Sequence, residues 1–382
     1  MKRKIYTEDH ELFRISFRRF IEAEIAPNLE QWKKDGIIDR ELYIKAGDQG
    51  FLAPWADPKY GGLGLDDIRY EMIACEESAR LNCSEVGFLL HSWIIAPYIN
   101  GLGTEDQKQR YLPDMISGQK IAAVAMTEPN VGSDLASMQT RAVNKGNYWV
   151  LNGAKTYISN GILSDIIIVA ARTNNESRYG GIGLFIVDGD SIGLSRGRNL
   201  DKIGLKSQDT AELFFDDVKV SNKNVLGAPD KGFYNLMRFL VDERLLTGIG
   251  ALATSRAALE TTITYTKERQ VFGKSIASFQ NSQFVLAKLS AELDMLQTYI
   301  DEAVIQRDEG TLTADDASRI KYLSTEFEGR LVDQCLQLHG GFGYMMESPI
   351  ANFYVNARIT RIFAGSNEIM LQIIAKGMGL VN

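Results

Sequence analysis

Five short segments of the sequence combine residue types that could bind or transform a ligand. Met126–Asp134 (MTEPNVGSD) follows a strand-like run and packs hydroxyls, a proline turn and a glycine into one loop. Such loops offer backbone N–H groups and hydroxyls to phosphate or heterocycle oxygens, although a plain structured turn would read the same way. Lys155–Asn160 (KTYISN) adds an aromatic ring and a further hydroxyl, where a lone aromatic in a strand is more often core. Lys267–Lys274 (KERQVFGK) ends a helical stretch and leads to Phe279 and Gln280. Gln337–Tyr344 (QLHGGFGY) closes another, with glycines that let a backbone approach a ligand. Arg361–Ile369 (RIFAGSNEI) reads as a turn into a terminal helix. Taken singly, each is also explained by capping or packing.

One apparent motif is a decoy. Gly248–Ala253 (GIGALA) fits the dinucleotide fingerprint GxGxxA, but that fingerprint needs a strand before its first glycine. The preceding FLVDERLLT is helical, with Phe239, Leu240, Glu243, Leu246 and Thr247 on one face, so the small residues are expected to serve close helix packing. Gly61–Gly64 (GGLG) follows no strand either and is expected to be a turn.

The elements that must position these segments come in three blocks. From residue 1 to 120 the apolar residues recur at helical spacing, as in Phe13, Phe17, Phe20, Ile21 and Ile25, with Pro27 as a stop. Thr104, followed by acidic residues, reads as a helix N-cap. From 121 to 230 short β-rich runs alternate with Gly, Asn and Asp, which predicts a small antiparallel barrel or sandwich. Asn152-Gly153 between two such runs predicts a two-residue hairpin. From 231 to 382 the helical period returns. Leu286, Leu289, Leu293, Leu296 and Ile300 form the seam of a packed helix, so a helical bundle is expected.

Composition narrows the function. The 382 residues, at about 150 per domain, suit two or three domains. A net charge of −7, with no basic cluster interleaved with aromatics, argues against nucleic acid as a partner. The longest strongly apolar run, Ile166–Ala171, is far short of the roughly 20 residues of a membrane span. Three cysteines without CxxC spacing and three scattered histidines argue for a reducing compartment and against a metal site. Met1–His10 has charges but no apolar run behind them and is not expected to be a signal peptide. A cytoplasmic enzyme is the expectation.

In this order, and on a helix–strand–helix plan, the five segments together with Trp55–Gly64 resemble the acyl-CoA dehydrogenase family over nearly the whole chain, and its long-chain type most closely. The resemblance implies an α+β multidomain fold: an N-terminal helical domain (1–120), a middle antiparallel β-barrel (121–230) and a C-terminal four-helix bundle (231–382). It also implies FAD, bound non-covalently between the β-domain and the bundle and completed by a neighbouring subunit of a homotetramer, a dimer of dimers. By the same likeness Val124, Ala125, Met126, Thr127, Gly132 and Ser133 would line the isoalloxazine ring, with Thr127 at its pyrimidine edge and Ser133 also touching substrate. Tyr157 stands where many members have Trp beside the ring, followed by Ile158, and Ser159 where many have Thr near flavin N5. Arg269, Phe272, Gln280 and the run Gln337, Leu338, His339, Gly340 and Gly341 match residues reaching the adenine and pyrophosphate half across a dimer interface. Ser366 and Glu368 match positions that close over the FAD.

The reaction so implied is α,β-dehydrogenation of a fatty acyl-CoA to the trans-2-enoyl-CoA, as in fatty acid β-oxidation, with an electron-transferring flavoprotein as acceptor. A carboxylate takes the α-proton, the β-hydrogen leaves as hydride to flavin N5, and a backbone N–H and a ribityl hydroxyl of FAD stabilise the enolate. Short- and medium-chain members carry the base as Glu directly before the glycine of the last motif, but this sequence has Ala364 before Gly365. Long-chain and isovaleryl types place the base on an earlier helix before an Arg, which here is Glu243-Arg244. At helical spacing Glu243 falls in an apolar stripe, as a basic carboxylate should. Ala364 still offers its N–H. Asp242 lies about 100° around the helix from Glu243 and ranks below it as a base. Tyr234, Val241, Asp242, Arg244, Ala364 and Gly365 match the acyl-CoA pocket.

Three other readings stay open at the level of sequence: a branched short-chain (isovaleryl-type) or aryl-acyl-CoA dehydrogenase, an oxidase or monooxygenase on the same scaffold, and a non-catalytic flavin-bearing scaffold. The Glu243-Arg244 pair speaks against the last.

Overall fold

The computed structural model describes residues 3–174 and 177–380. Residues 1–2, at the start of the Met1–His10 segment, residues 175–176 and residues 381–382 lie outside the described residues.

The first block is helical: α1 (Glu8–Phe20), α2 (Leu29–Asp35), α3 (Glu41–Asp48), α4 (Arg69–Arg80), α5 (Ala96–Leu102) and α6 (Glu105–Ile116). After α1 the chain passes through one π-helical turn, Ile21–Ile25, before the Pro27 turn. Phe17, Phe20, Ile21 and Ile25 are buried as their spacing predicts, with Phe17 edge-on to Phe51. Thr104 caps α6 reciprocally. Its Oγ1 accepts from Gln107 N–H at 3.3 Å, and Gln107 Oε1 accepts from Thr104 N–H at 2.8 Å.

The middle block is an eight-stranded sheet: β1 (Ala122–Ala125), β2 (Arg141–Asn144), β3 (Tyr148–Ser159), β4 (Ile166–Arg172), β5 (Ile182–Asp188), β6 (Leu194–Arg196), β7 (Thr210–Ser221) and β8 (Val225–Leu226). The order is β6-β7-β3-β2-β4-β5-β8, with β1 attached to β4. Pairing is antiparallel except that β1, and one residue of β2, run parallel to β4. The apolar run of β4 is buried on both faces. Ile166, Ile168 and Ala170 face the N-terminal helices, and Ile167, Val169 and Ala171 face the inner sheet core.

Asn152-Gly153 makes no hairpin. It lies inside the continuous strand β3, opposite a bulge in β7 where Asp217 takes φ 51°. Asn152 and Asp217 exchange two hydrogen bonds of 2.9 Å, so the asparagine serves the bulge rather than a turn. Gly153 is needed because a Cβ there would lie 2.6 Å from Thr140 Oγ1. The actual reversal between β2 and β3 is made around Gly146, at φ 88°.

The last block holds α7 (Gly232–Glu268), a small β9–β10 ribbon (Gln270–Val271, Lys274–Ser275), α8 (Gln280–Asp308), α9 (Ala314–His339), α10 (Pro349–Ala357) and α11 (Asn367–Gly377). The α8 seam of Leu289, Leu293, Leu296 and Ile300 is buried. Gly248 lies in mid-α7, where a Cβ would meet Ile320 Cγ2 of α9 at 2.6 Å, so the GxGxxA stretch does serve helix packing.

Candidate active site

Glu243 sits on α7, one turn after Phe239 and Leu240 and one before Leu246 and Thr247. The residue as a whole is half-buried, yet its Oε2 is sealed from solvent and has no hydrogen-bond partner. Burial pushes the carboxyl up to about 7, and the Arg244 charge opposes this only partly. Tyr98 of α5 packs tilted against Phe239 with ring centres 4.4 Å apart, and its hydroxyl is buried without a partner within the field of Glu243. A carboxyl in such surroundings is a stronger base than one in water and is poised near neutral pH. Asp242 points elsewhere and is engaged by Arg307 of α8 at 3.3 Å.

The residue after Glu243 ties α7 to the last motif. Arg244 is only 4% exposed, and its Nε donates to the Ala364 carbonyl at 3.4 Å. Ala364 takes φ 55° and Gly365 φ 88°, so the turn before α11 is left-handed at two successive residues, one of them carrying a Cβ. A Cβ on Gly365 would lie 2.9 Å from Met370 Cε. Arg244, the neighbour of Glu243 in sequence, thus ties α7 to the backbone of the 364–366 turn.

The hydroxyl-rich loop is pinned from beneath. Lys155 on β3 is fully buried and donates to the Met126 carbonyl at 3.0 Å and to Glu128 Oε1 at 2.8 Å. Glu128 also accepts from the N–H groups of Gln139 and Thr140, at 2.6 and 2.9 Å. Burial works against its charge, but Lys155 and these donors hold its carboxyl below the ordinary value. Thr156 N–H donates to the Thr127 carbonyl at 2.9 Å. Val124, Met126 and Thr127 are partly exposed, Ala125 is buried, and Gly132 and Ser133 are exposed. Just beyond, β3 carries one residue more than β7 between Lys155 and Ile158. The bulge puts Tyr157 at φ 59° and throws its ring outward, 70% exposed, between the buried Thr156 and Ile158. Ser159 is half-buried at the strand end.

The remaining expected residues lie on open surface. Arg269, Gln280, Gln337, Gly340, Gly341 and Glu368 are exposed, and Phe272 is 95% exposed on the β9–β10 ribbon at φ 48°. Leu338 and Ser366 are half-buried, as is Val241, and Tyr234 is exposed near the start of α7. The imidazole of His339 turns inward, stacked 4.0 Å from the Tyr265 ring with Nε2 3.2 Å from Thr262 Oγ1, and burial pulls it down to about 4.

Residues 7–119, 123–218 and 230–379 match the acyl-CoA dehydrogenase N-terminal, middle and C-terminal domains, respectively. The chain belongs to the acyl-CoA dehydrogenase family. It is 44% identical to the mitochondrial long-chain specific acyl-CoA dehydrogenase of Sus scrofa over 98% of this chain and 87% of that one. A solved acyl-CoA dehydrogenase from Geobacillus kaustophilus superposes with a TM-score of 0.96 at 43% identity, covering 99% of this chain and 100% of that one. A glutaryl-CoA dehydrogenase from Mycobacterium smegmatis, solved in complex with FADH2, superposes with a TM-score of 0.90 at 28% identity over 99% and 96% of the two chains. Enzymes of this acyl-CoA dehydrogenase family are oxidoreductases and flavoproteins.

The residues that an acyl-CoA dehydrogenase would use for a flavin fit one here. Tyr157 offers an outward ring face beside the Thr127 loop, and added Cβ atoms at Gly132, Gly340 and Gly341 would meet nothing within 4 Å. The burial of the Lys155–Glu128 pair and of Tyr98 beside these segments was not legible in the sequence, because nothing in their spacing separates a buried polar residue from a solvated one. Among the described residues no helix is long and apolar enough to cross a membrane.

Proposed function

We propose that this chain is an FAD-dependent dehydrogenase of fatty acyl-CoA thioesters, yielding the trans-2-enoyl-CoA, with Glu243 as the base that takes the α-proton. The observation that carries this is the sealed, unpartnered Oε2 of Glu243, on a carboxyl pushed up to about 7 and tied through Arg244 to the Ala364–Gly365 turn. Removing a weakly acidic α-proton needs a desolvated base and a donor for the enolate oxygen in the same place. Glu243 is the base, and the Ala364 N–H is the donor on this chain. Arg244 holds the Ala364 carbonyl, and the Ala364 N–H remains available without the side chain that other family members carry there. The scaffold reading is disfavoured because it leaves no use for a Glu243-Arg244 pair tied to the Ala364–Gly365 turn.

The chemistry that bound FAD supplies is acceptance of the β-hydride. Val124 to Thr127, Gly132, Ser133 and Tyr157 to Ser159 would hold its ring system, with Ser366 and Glu368 closing over it. Arg269, Phe272, Gln280, the Gln337–Leu338 pair, the His339 backbone, Gly340 and Gly341 would hold the nucleotide half of an FAD seated in a neighbouring subunit of a homotetramer. Ser133, Tyr234, Val241, Asp242 and Gly365 would line the acyl-CoA path. The physiological acceptor is proposed to be an electron-transferring flavoprotein, and the compartment the cytoplasm, where the free thiols of Cys75, Cys83 and Cys335 stay reduced. Likeness to long-chain enzymes favours straight acyl chains over branched or aryl ones.

The test is anaerobic titration of the yellow protein with acyl-CoAs of graded length and branching, following the flavin band. Bleaching by straight-chain substrates supports the proposal, and a wild-type protein that no acyl-CoA bleaches refutes it.

A further inference from the structure

Lys321 of α9 is wholly buried, and nothing described so far uses its charge. Its Nζ donates to the Gly365 carbonyl and to Asn367 Oδ1, both at 2.8 Å. Neither acceptor carries a charge, and an ammonium buried among neutral acceptors is costly enough to need a reason. Asn367 is itself held to α9, its Nδ2 donating to Glu326 Oε1 at 2.7 Å and to Thr325 Oγ1 at 3.0 Å. On the other side of the turn, Arg244 of α7 grips the Ala364 carbonyl at 3.4 Å. Two cations from two different helices therefore hold two consecutive carbonyls.

Between those grips lies the strained part of the chain, Ala364 at φ 55° followed by Gly365 at φ 88°. A left-handed alanine persists only where its surroundings over-determine it. Because peptide units are planar, anchoring the carbonyls of residues 364 and 365 fixes the planes of the two peptides that follow Ala364. The direction of the Ala364 N–H is then set by the φ and ψ that the anchors enforce.

We propose that Lys321 is a positioning residue for the dehydrogenation: by gripping the Gly365 carbonyl and Asn367, it holds Ala364 in its left-handed turn and so aims the Ala364 N–H at the thioester oxygen. The inference rests on the dehydrogenase reading above. Its chemical content is that enolate formation, and not substrate binding, depends on Lys321. The α-C–H proton passes to the Glu243 carboxylate while the C–H electron pair moves onto the thioester oxygen, and that oxygen is where a misaimed N–H is felt. Burial and the nearby Arg244 charge pull the Lys321 ammonium down to about 8, and the Glu326 and Glu368 charges oppose this.

The experiment compares the FAD-loaded wild type with Lys321→Met and Lys321→Gln, using a 3-thia-acyl-CoA. The β-sulfur permits loss of the α-proton but prevents formation of the alkene. The readouts are exchange of the α-proton into D2O and the Kd of the analogue. Lys321→Met is expected to slow exchange about 10²-fold, the size of effect seen for small misplacements of reacting groups, while Kd stays within about threefold. Lys321→Gln keeps one donor and falls between. Exchange equal to wild type in the Met variant overturns the proposal. So does loss of FAD or analogue binding with unchanged exchange per occupied site, which would mark Lys321 as merely structural. If the Met variant does not accumulate with FAD, the Gln variant is judged by the same outcomes. Wild-type protein that exchanges no α-proton would instead overturn the dehydrogenase reading itself.

Discussion

The two halves of the candidate site are built in opposite ways. Around Glu243 the chain is dry and internally braced: a sealed carboxyl oxygen, a buried Arg244, a buried Tyr98 and a turn held from two helices. Around Phe272, Arg269 and Gly340 it is open, with side chains that reach into solvent and glycines that face nothing. Proton chemistry needs groups whose geometry and basicity are fixed in advance, and one chain can fix them. A surface that large and exposed gains definition only against another body, and a second copy of the chain is the partner proposed here.

If that contrast is right, substitutions in the two halves fail differently. Glu243→Gln should bind acyl-CoA and keep FAD, yet slow flavin bleaching by about 10³- to 10⁴-fold in stopped flow. Bleaching near the wild-type rate would move the base elsewhere. The double substitution of Arg269→Ala with Phe272→Ala should act on the cofactor instead. FAD affinity should fall about 10²-fold and become strongly dependent on protein concentration, read from fluorescence of released flavin, while sites that retain FAD bleach within a few-fold of normal. Equal loss of rate and affinity would mean that the halves are not separable.

A smaller effect sharpens the role of burial. Glu71 on α4 is buried and, like Glu243, pushed up by burial, here to about 8, but it lies against the Cys75 thiol, at 3.9 Å. Its folded value lies above the ordinary 4.5, so the native state binds the extra proton across that window. Stability therefore falls as pH rises from about 4.5 to about 8 and the loss is complete above it. Glu243 and Glu328, raised to about 7 and about 8, act in the same direction. Glu71→Met should raise the thermal midpoint at pH 8 by about 2–5 °C and flatten, without abolishing, its fall with pH. It should leave the bleaching rate alone, which Glu243→Gln does not.

Much of this was readable without coordinates because it follows from periodicity. The α1 phenylalanines, the Thr104 cap, the α8 seam and the packing role of Gly248 are local patterns with local causes. Glu243 was legible through the family resemblance, which implies a base directly before an Arg on this helix, and its place in an apolar stripe agrees with that. Asn152-Gly153 misled because the pair equally suits a bulge facing Asp217, and only the pairing partner decides between the two. His339 was legible as a position but not as a side chain, since its inward turn depends on Tyr265 and Thr262, more than seventy residues earlier. Lys321 left no trace, because a lysine in a helix is ordinarily solvated and its acceptors, Gly365 and Asn367, lie more than forty residues later.

The most direct test of the division is to mix the two crippled proteins. Glu243→Gln chains and Arg269→Ala/Phe272→Ala chains, co-expressed and purified together, should form mixed pairs in which one site has an intact base facing an intact partner surface. Random pairing makes half of the pairs mixed with one good site of two, so the preparation should recover about a quarter of wild-type activity in a two-fold symmetric dimer. A mixture no more active than the sum of its parents would contradict the account, because each chain would then be building its site alone.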